Sequence, residues 1–484
     1  MMKKKTISLM LAAALVLASG CSYKNDAESV SISITDDNSN GTVTVENNSD
    51  KTVTVTKTVT ADMAEKAAKV NDGETITKAG TYILEGEYTH TVTIDADKED
   101  DVILILNGAT VTSGDGPAVS AVKCNSLIIS VAAGTTNTLT DAKEYADTSE
   151  AAPTGALYSK NNLTIEGEGT LIVNGNAKHG IVSKDNLYIN GAIIELTASK
   201  DGLHAGEAME INGGTINIKD SNEGMEAESV TVNNGIVIVN AKDDGINATS
   251  DEVTPVITFN GGTVTVNSAG DGVDSNGNIV LNGGFVYVSG ATNDGNAAMD
   301  YDGTFTANGG TLISSGMSGM YQSISKESGN KVIDYIGTET VKAGTTVSLY
   351  DKDTLICSTE IIKDANAILI TSDALENGKE YTLKLGDKSV SVTAGESTNQ
   401  GFGGFGGFGG KGGFGPGGNK GEFNGQSPNG NFDKREAPEG SQGEPPEGFN
   451  REKPEGFGGN FPGDDNGNFG GEPPKDFEGE TLSN

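Results

Sequence analysis

Asp244-Gly245-Ile246-Asn247-Ala248 is the stretch that decides the fold, because its pattern of an acidic residue, a glycine, an apolar residue and a small residue returns along the chain. The pattern recurs as Asp201-Gly202-Leu203-His204-Ala205, Glu223-Gly224-Met225-Glu226-Ala227 and Asp271-Gly272-Val273-Asp274-Ser275, and starts again at Asp294-Gly295. The repeats are roughly 22 to 27 residues long and show no helical periodicity, which is typical of a solenoid of stacked β-turns.

An Asn-Gly dipeptide after a hydrophobic strand is the second mark of each repeat. It falls at Asn190, Asn212, Asn234, Asn260, Asn282 and Asn308, each followed by glycine. Glycine adopts positive φ without a Cβ clash, and asparagine tolerates it. We therefore expect positive φ at these dipeptides and at the acidic-Gly pairs.

The strands alternate between apolar and polar residues with period two, which predicts one buried face for each strand. Leu187 and Ile189 share the inward face before Asn190-Gly191, and Ile194 and Leu196 share it afterwards. A third short strand follows each acidic corner. Three strands per turn predict an all-β chain folded as a parallel β-helix of about ten turns, from Val102 to Ser315.

The start of the chain has the layout of a secretory signal peptide. Lys3-Lys4-Lys5 precede an apolar run from Ile7 to Leu17 and then Ala18-Ser19-Gly20-Cys21. This predicts a signal peptide over 1–20 and a bacterial lipoprotein site, with lipidated Cys21 anchoring the protein to the membrane at the cell surface. The alternative is an ordinary cleaved signal with a chance cysteine.

Composition divides the rest of the chain into segments. We expect a disordered tether over 21–57, the β-helix over 58–330, a small β cap over 331–397 and a disordered Gly/Phe/Pro/Glu-rich tail over 398–484. The strand settings of Cys124 and Cys357 favour small buried hydrophobes over a disulfide.

The net charge of −35 excludes nucleic acid as a partner bound through its phosphates. Stacked turns should place the corner residues in two columns. The first column is Asp201, Glu223, Asp244, Asp271 and Asp294; the second is His204, Glu226, Asn247 and Asp274; neighbouring oxygens come from Asn222, Asp243 and Asn293.

Like charges stacked about 5 Å apart repel strongly, and calcium relieves this because it takes six to eight oxygen ligands. These columns therefore predict structural Ca²⁺, with His204 expected as a polar outward residue and not as a ligand. The alternative is that Asp-Gly and Asn-Gly are simply favourable turn dipeptides on a soluble rod.

The ordered motifs resemble a family of bacterial cell-surface carbohydrate-binding β-helix domains. The resemblance covers roughly residues 60 to 395 and is carried by the Asp-Gly repeats and by Asn137-Thr138-Leu139-Thr140-Asp141, Gly155-Ala156-Leu157-Tyr158-Ser159, Ser183-Lys184-Asp185-Asn186-Leu187 and Asn377-Gly378-Lys379-Glu380-Tyr381. It implies a right-handed β-helix that binds calcium at its turns, and plant cell-wall polysaccharides such as polygalacturonate or cellulosic chains.

The calcium roles that the resemblance implies transfer most directly to Asp201, Asp243, Asp244 and Asp271. Lys178-His179-Gly180 stands where the pattern has an acidic corner, which argues against a site on that turn. The resemblance supplies no sugar-binding residues.

Three functions fit the sequence: a non-catalytic carbohydrate-binding lipoprotein, a polysaccharide lyase of the pectate type, and a surface scaffold without a sugar ligand. A lyase needs a strong base beside the metal. Arg435 and Arg451 both lie in the tail, which leaves lysines such as Lys200, Lys219 and Lys242. Tyr188 and Tyr287 are the candidate stacking platforms for sugar, although isolated surface tyrosines explain both. We favour the non-catalytic binder.

Overall fold

The computed structural model describes residues 61–149 and 151–397, together with one antiparallel strand pair, Thr44–Val45 and Val53–Thr54. All of these lie in one compact unit, Met1–Gly409. The described residues do not include Cys21, most of the predicted tether or the tail from 398 onward. The second unit, Gly410–Asn484, belongs to that tail. Within the described ranges, no helix is long and apolar enough to cross a membrane.

The architecture is a parallel β-helix with three strands per turn, as predicted. A short helix, Ala61–Lys66, precedes it. The strands after the acidic corners form a ten-stranded sheet, here called the corner face. Its strands are Thr75–Ile76, Val92–Asp95, Val119–Lys123, Gly155–Ser159, His179–Ser183, Leu203–Ala205, Met225–Ala227, Ile246–Ala248, Val273–Ser275 and Met299–Tyr301. Stacked turns therefore begin before Val102, the residue from which about ten turns were predicted.

The other two faces flank the Asn-Gly turns and belong to one 19-stranded sheet. Strands before the turn are Ala68–Lys69, Ser126–Val131, Asn162–Gly167, Ser229–Val232, Val256–Phe259, Asn278–Leu281 and Phe305–Ala307. Strands after it are Thr136–Thr140, Thr170–Gly175, Ile236–Ala241, Thr263–Ser268, Phe285–Ser289 and Thr311–Gly316. Gly80–Tyr88, Asp101–Thr112, Leu187–Ala198 and Ala208–Ser221 run through both faces.

The core is one continuous apolar cluster along the axis. Leu187, Ile189 and Ile194 are fully buried, which confirms the predicted inward rows. Burial of each such side chain stabilises the fold by roughly 1.5–3 kcal/mol. Cys124 and Cys357 are both buried in apolar clusters, and neither forms a disulfide within the described residues, as predicted.

An asparagine ladder runs along the turns between the two long faces. Each side-chain amide donates to the amide oxygen of the preceding turn at 2.7–3.2 Å. The members are Asn190, Asn212, Asn233, Asn260, Asn282 and Asn308. In the turn that carries the dipeptide Asn234-Gly235, the preceding residue Asn233 continues the ladder.

The glycines of the acidic corners are needed for close packing. The expectation of positive φ at these corners is wrong, since among the described residues positive φ instead follows the turn asparagines, as at Gly214 (φ 91°). A Cβ on Gly224 would collide with Val239 Cγ1 and with the carbonyl oxygen of Gly245 in the next turn. Glycine therefore lets successive corners stack.

The segment predicted as a cap closes the C-terminal end of the solenoid. Strands Lys331–Val341 and Ala365–Ser372 extend the sheet in antiparallel sense from Thr311–Gly316. A four-stranded antiparallel sheet follows, made of Thr346–Asp351, Thr354–Glu360, Glu380–Leu385 and Lys388–Thr393.

The cap also covers Tyr287, which the sequence analysis counted as a candidate surface platform. That side chain is only 2% exposed, and its hydroxyl accepts a hydrogen bond from Ile362 N at 3.1 Å. The cap thus removes it from the outer surface, and Tyr287 is not a platform for sugar.

We expect Gly224→Ala to destabilise the protein by about 1–3 kcal/mol, because the added methyl group overpacks the corner. Gly114→Ala is the matched control, since a Cβ at Gly114 would meet no atom within 4 Å. Denaturant unfolding of both variants measures the difference. Equal stability of the two variants would contradict the packing role of the corner glycines.

Candidate metal sites on the corner face

The corner carboxylates form the predicted column, because each turn is hydrogen-bonded to the next in strict register. Gly202 N donates to Glu223 O, Gly224 N to Asp244 O and Gly245 N to Asp271 O, at 2.9–3.0 Å. The corners from Asp201 to Asp271 are therefore stacked directly on one another. Their side chains project from the same edge of successive turns.

Asp294 does not continue this column, contrary to the prediction. Gly272 N donates to Ala297 O, so that Ala297 occupies the corner position of the next turn. Asp294 is exposed in the loop before that corner. Its neighbour Asn293 uses its Oδ1 to accept a hydrogen bond from Gly295 N at 2.8 Å. The loop length of this turn shifts both residues away from the stack.

The second column is present and extends one turn further than predicted. His204 aligns with Glu226, Glu226 with Asn247, and Asn247 with Asp274. Asp274 then aligns with Asp300 on Met299–Tyr301, a residue that the sequence analysis missed. The pattern Met299-Asp300-Tyr301 mirrors Val273-Asp274-Ser275 and could have revealed it.

Asp244, Asp271 and Asp274 form the densest carboxylate group, here called the triple-Asp cluster. One oxygen from each lies within 4.8 Å of the others. Asp244 Oδ1 accepts a hydrogen bond from Asp271 N at 2.7 Å, and Asp271 Oδ1 accepts one from Ala297 N at 2.5 Å. These backbone donors fix the two carboxylates in orientation.

The triple-Asp cluster is electrostatically unfavourable without a cation. Burial, together with the neighbouring carboxylates, raises the pKa of Asp271 to about 6 and that of Asp274 to about 7. Burial likewise raises the pKa of Asp244, with added repulsion from Asp243 and Asp300. The folded protein therefore holds protons here that free carboxylates release.

The donor set of this cluster fits Ca²⁺. All of its candidate ligands are hard oxygens, which calcium prefers. Asn247, aligned with Asp274 on the second column, has a buried Oδ1 without a hydrogen-bond partner. Asp243 lies exposed beside the cluster, whereas Asn222 occupies the equivalent exposed position one turn earlier.

Glu223 and Glu226 form a second carboxylate group with Asp201, again with oxygens within 4.8 Å. Burial raises the pKa of Glu223, and the adjacent Glu226 carboxylate raises it further. The Glu223 carboxyl therefore holds its proton more readily than a free carboxyl when no cation is bound.

Asp201 has a different environment from the other corners. It lies 2.9 Å from both His179 Nδ1 and His204 Nδ1. Burial alone would raise the pKa of Asp201, but the two histidines hold it below its usual range. The sequence analysis missed His179 as a partner, although histidine followed by glycine occupied the corner position.

Comparison with known proteins supports one family. Residues 71–251 match a family model described as carbohydrate-binding domain-containing protein. A relative of the same description from Acetivibrio thermocellus is 32% identical over 126 residues, which are 25% of this chain and 44% of the relative. The match thus spans less than half of that relative's length. The predicted resemblance to a carbohydrate-binding domain family is confirmed over residues 71–251.

One solved structure is also similar, a polysaccharide lyase-like protein from C. thermocellum determined as a gadolinium derivative. It is 25% identical to this chain, with a TM-score of 0.39. The similarity covers 53% of this chain and 92% of that one.

We expect the free energy of unfolding to fall in chelator as the pH rises from about 4 to about 7. The pKa values of Asp271 and Asp274 are higher in the folded state than in the unfolded state. Between these values the folded protein binds more protons than the unfolded chain. Raising the pH removes these protons and therefore lowers the free energy of unfolding. Asp274→Asn should flatten this dependence, whereas Asp294→Asn, outside the column, should not. Unfolding measured against pH tests this, and equal slopes for the two variants would contradict it.

Proposed function

We propose that this protein is a non-catalytic, calcium-dependent carbohydrate-binding lipoprotein that recognises acidic or plant cell-wall polysaccharides. The family match over residues 71–251 supports carbohydrate as the partner. The observation that carries the calcium requirement is the triple-Asp cluster, whose three carboxylate oxygens lie within 4.8 Å of one another. Asp243, Asn247 and Asp300 supply further oxygen ligands nearby.

Charge determines how such a protein recognises an acidic polysaccharide. With a net charge of −35, direct contact with a polyuronate such as polygalacturonate is repulsive. Calcium has six to eight coordination positions, and the cluster does not fill all of them. A uronate carboxylate then replaces water in the remaining positions, since both offer hard oxygen. Bridging by calcium therefore converts the repulsive surface into a binding surface.

The proposal favours binding over lyase chemistry because two of the candidate lysines are engaged elsewhere. Lys219 Nζ lies 2.6 Å from Glu195, and Lys242 Nζ lies 2.8 Å from Asp220. A general base must be unprotonated and close to the substrate. Each of these ion pairs instead directs the lysine toward a carboxylate of the preceding turn.

Location is the remaining part of the proposal. We infer that lipidated Cys21 holds the β-helix at the outer face of the membrane, where cell-wall polysaccharides are accessible. The signal layout of Lys3-Lys4-Lys5 and the apolar run that follows supports this.

Calcium should stabilise the fold, because binding cancels the repulsion between stacked carboxylates. Extracellular calcium sites have dissociation constants on the order of 10⁻⁴ to 10⁻³ M, so ~10 mM Ca²⁺ should add roughly 1 to 3 kcal/mol per site. Thermal melting with calcium and with chelator measures this gain. Asp271→Asn should reduce the gain and Asp294→Asn should preserve it. Identical melting midpoints with and without calcium would contradict the calcium assignment.

Binding to polygalacturonate should require calcium. In a pull-down, the unsubstituted protein should bind polygalacturonate in calcium and dissociate in chelator. The double variant Asp244→Asn/Asp271→Asn should not bind, because asparagine keeps the turn propensity but removes the charge. Asp294→Asn is the matched control, since Asp294 is an exposed acidic residue outside the column. Undiminished binding in excess chelator would refute the bridge, and release of unsaturated product would show lyase activity instead.

A further inference from the structure

A mixed nitrogen and oxygen site shares Asp201 with the carboxylate group of Glu223 and Glu226. His179, Asp201 and His204 each place one side-chain ligand atom within 4.8 Å of the other two. Their side chains are largely buried, with exposures of 14%, 8% and 19%. The centroids of the two imidazole rings lie 5.0 Å apart, and the ring planes are tilted by 41°.

Hydrogen bonding leaves one of these nitrogens without a partner. His204 Nδ1 is hydrogen-bonded to Asp201 Oδ2 at 2.9 Å. His179 Nδ1 lies at the same distance from that oxygen, but the contact is not directed as a hydrogen bond, and this buried nitrogen has no hydrogen-bond partner. A buried polar atom without a partner is destabilising and calls for an explanation. His179 and His204 thus contact the same carboxylate oxygen, Asp201 Oδ2.

We propose that His179, Asp201 and His204 bind a divalent transition metal of the zinc class. Imidazole nitrogen suits zinc and related metals, whereas calcium takes oxygen ligands. At metal–ligand lengths of about 2.0–2.1 Å, the ligands of a tetrahedral site lie about 3.3 Å apart. The distance from Asp201 Oδ2 to each of the two Nδ1 atoms is 2.9 Å, which is close to that value. The two Nδ1 atoms and one carboxylate oxygen form a three-ligand set typical of such a metal.

Glu226 provides the fourth ligand. Its Oε1 lies 3.7 Å from His204 Nδ1, and it is the residue that follows His204 in the second column. The ligands then come from three successive turns. Three of them lie on strands His179–Ser183, Leu203–Ala205 and Met225–Ala227, and Asp201 lies in the corner before the second of these strands. A metal bound here links these three turns. In the first of them, His179 occupies the corner position that is acidic in the others.

This site is independent of calcium at the triple-Asp cluster. The two share no residue, and the ligand types select different metals. A metal-free His-Asp-His hydrogen-bonding network is the competing account of the same geometry. It explains the short contact of His204 but leaves His179 Nδ1 without a partner.

Cobalt provides a spectroscopic test, because Co²⁺ substitutes for zinc and its visible absorption reports tetrahedral coordination. The full chain is stripped of metal and titrated with Co²⁺ in about 10 mM Ca²⁺, which occupies oxygen sites of millimolar affinity or tighter. We expect one equivalent of Co²⁺ to give a visible band that one equivalent of Zn²⁺ abolishes. His179→Gln and His204→Gln should each weaken Zn²⁺ affinity by more than about 100-fold.

His90→Gln is the matched control, since His90 Nδ1 also lies 3.1 Å from a carboxylate, Asp72, but is exposed and has no second histidine nearby. It should bind Co²⁺ and Zn²⁺ as the unsubstituted chain does. Thermal melting without metal shows which variants fold. If one histidine variant does not fold, the Zn²⁺ affinity of the other histidine variant tests the proposal. Unchanged Zn²⁺ affinity in a folded histidine variant, displacement of Co²⁺ by calcium, or no Co²⁺ binding at all would overturn the proposal.

Discussion

Parallel stacking of the turns is the constraint on which the rest of the structure depends. Each turn is hydrogen-bonded to the next about 4.8 Å away, so every side chain lies beside its equivalents in the neighbouring turns. Whatever chemistry one corner carries is therefore repeated as a column. The asparagine ladder from Asn190 to Asn308 shows the favourable outcome, since amides both donate and accept. The acidic corners show the unfavourable one, because ionised carboxylates only accept.

The chain relieves this repulsion in different ways along one column. At Asp201 two histidines lie against the carboxylate and lower its pKa. At Asp244 and Asp271 backbone N–H groups of the next turn satisfy one oxygen each, yet the pKa values stay raised. The first arrangement supplies nitrogen ligands and the second only oxygen ligands. One geometric repeat can therefore select two classes of metal.

Sequence periodicity predicted the parts of the fold that depend only on local pattern. The inward rows, such as Leu187 and Ile189, and the stacking of Asp244 on Asp271 follow from period-two strands and a repeated corner. The position of Asp294, which depends on loop length, was predicted wrongly. Asp294 matches the motif by type, but Ala297, three residues later, occupies the stacked corner position.

Other features depended on contacts that no local pattern contains. Tyr287 is buried against the cap, where its hydroxyl accepts a hydrogen bond from Ile362 N, 75 residues further along the chain, so its burial required the position of the cap. His179 was recognised as occupying a corner, but it was discounted because it is not acidic. Its significance comes from Asp201 and His204, which the structure brings to within 2.9 Å of each other.

Anomalous diffraction from crystals of this protein grown in calcium would test most directly whether stacked corners create metal sites. The account predicts a calcium peak bounded by Asp244, Asp271 and Asp274, with oxygen ligands at about 2.3–2.6 Å, and no peak at Asp294. The absence of a peak at the triple-Asp cluster, with its carboxylates still in contact, would contradict the account. It would show that protonation and backbone hydrogen bonds alone stabilise the column.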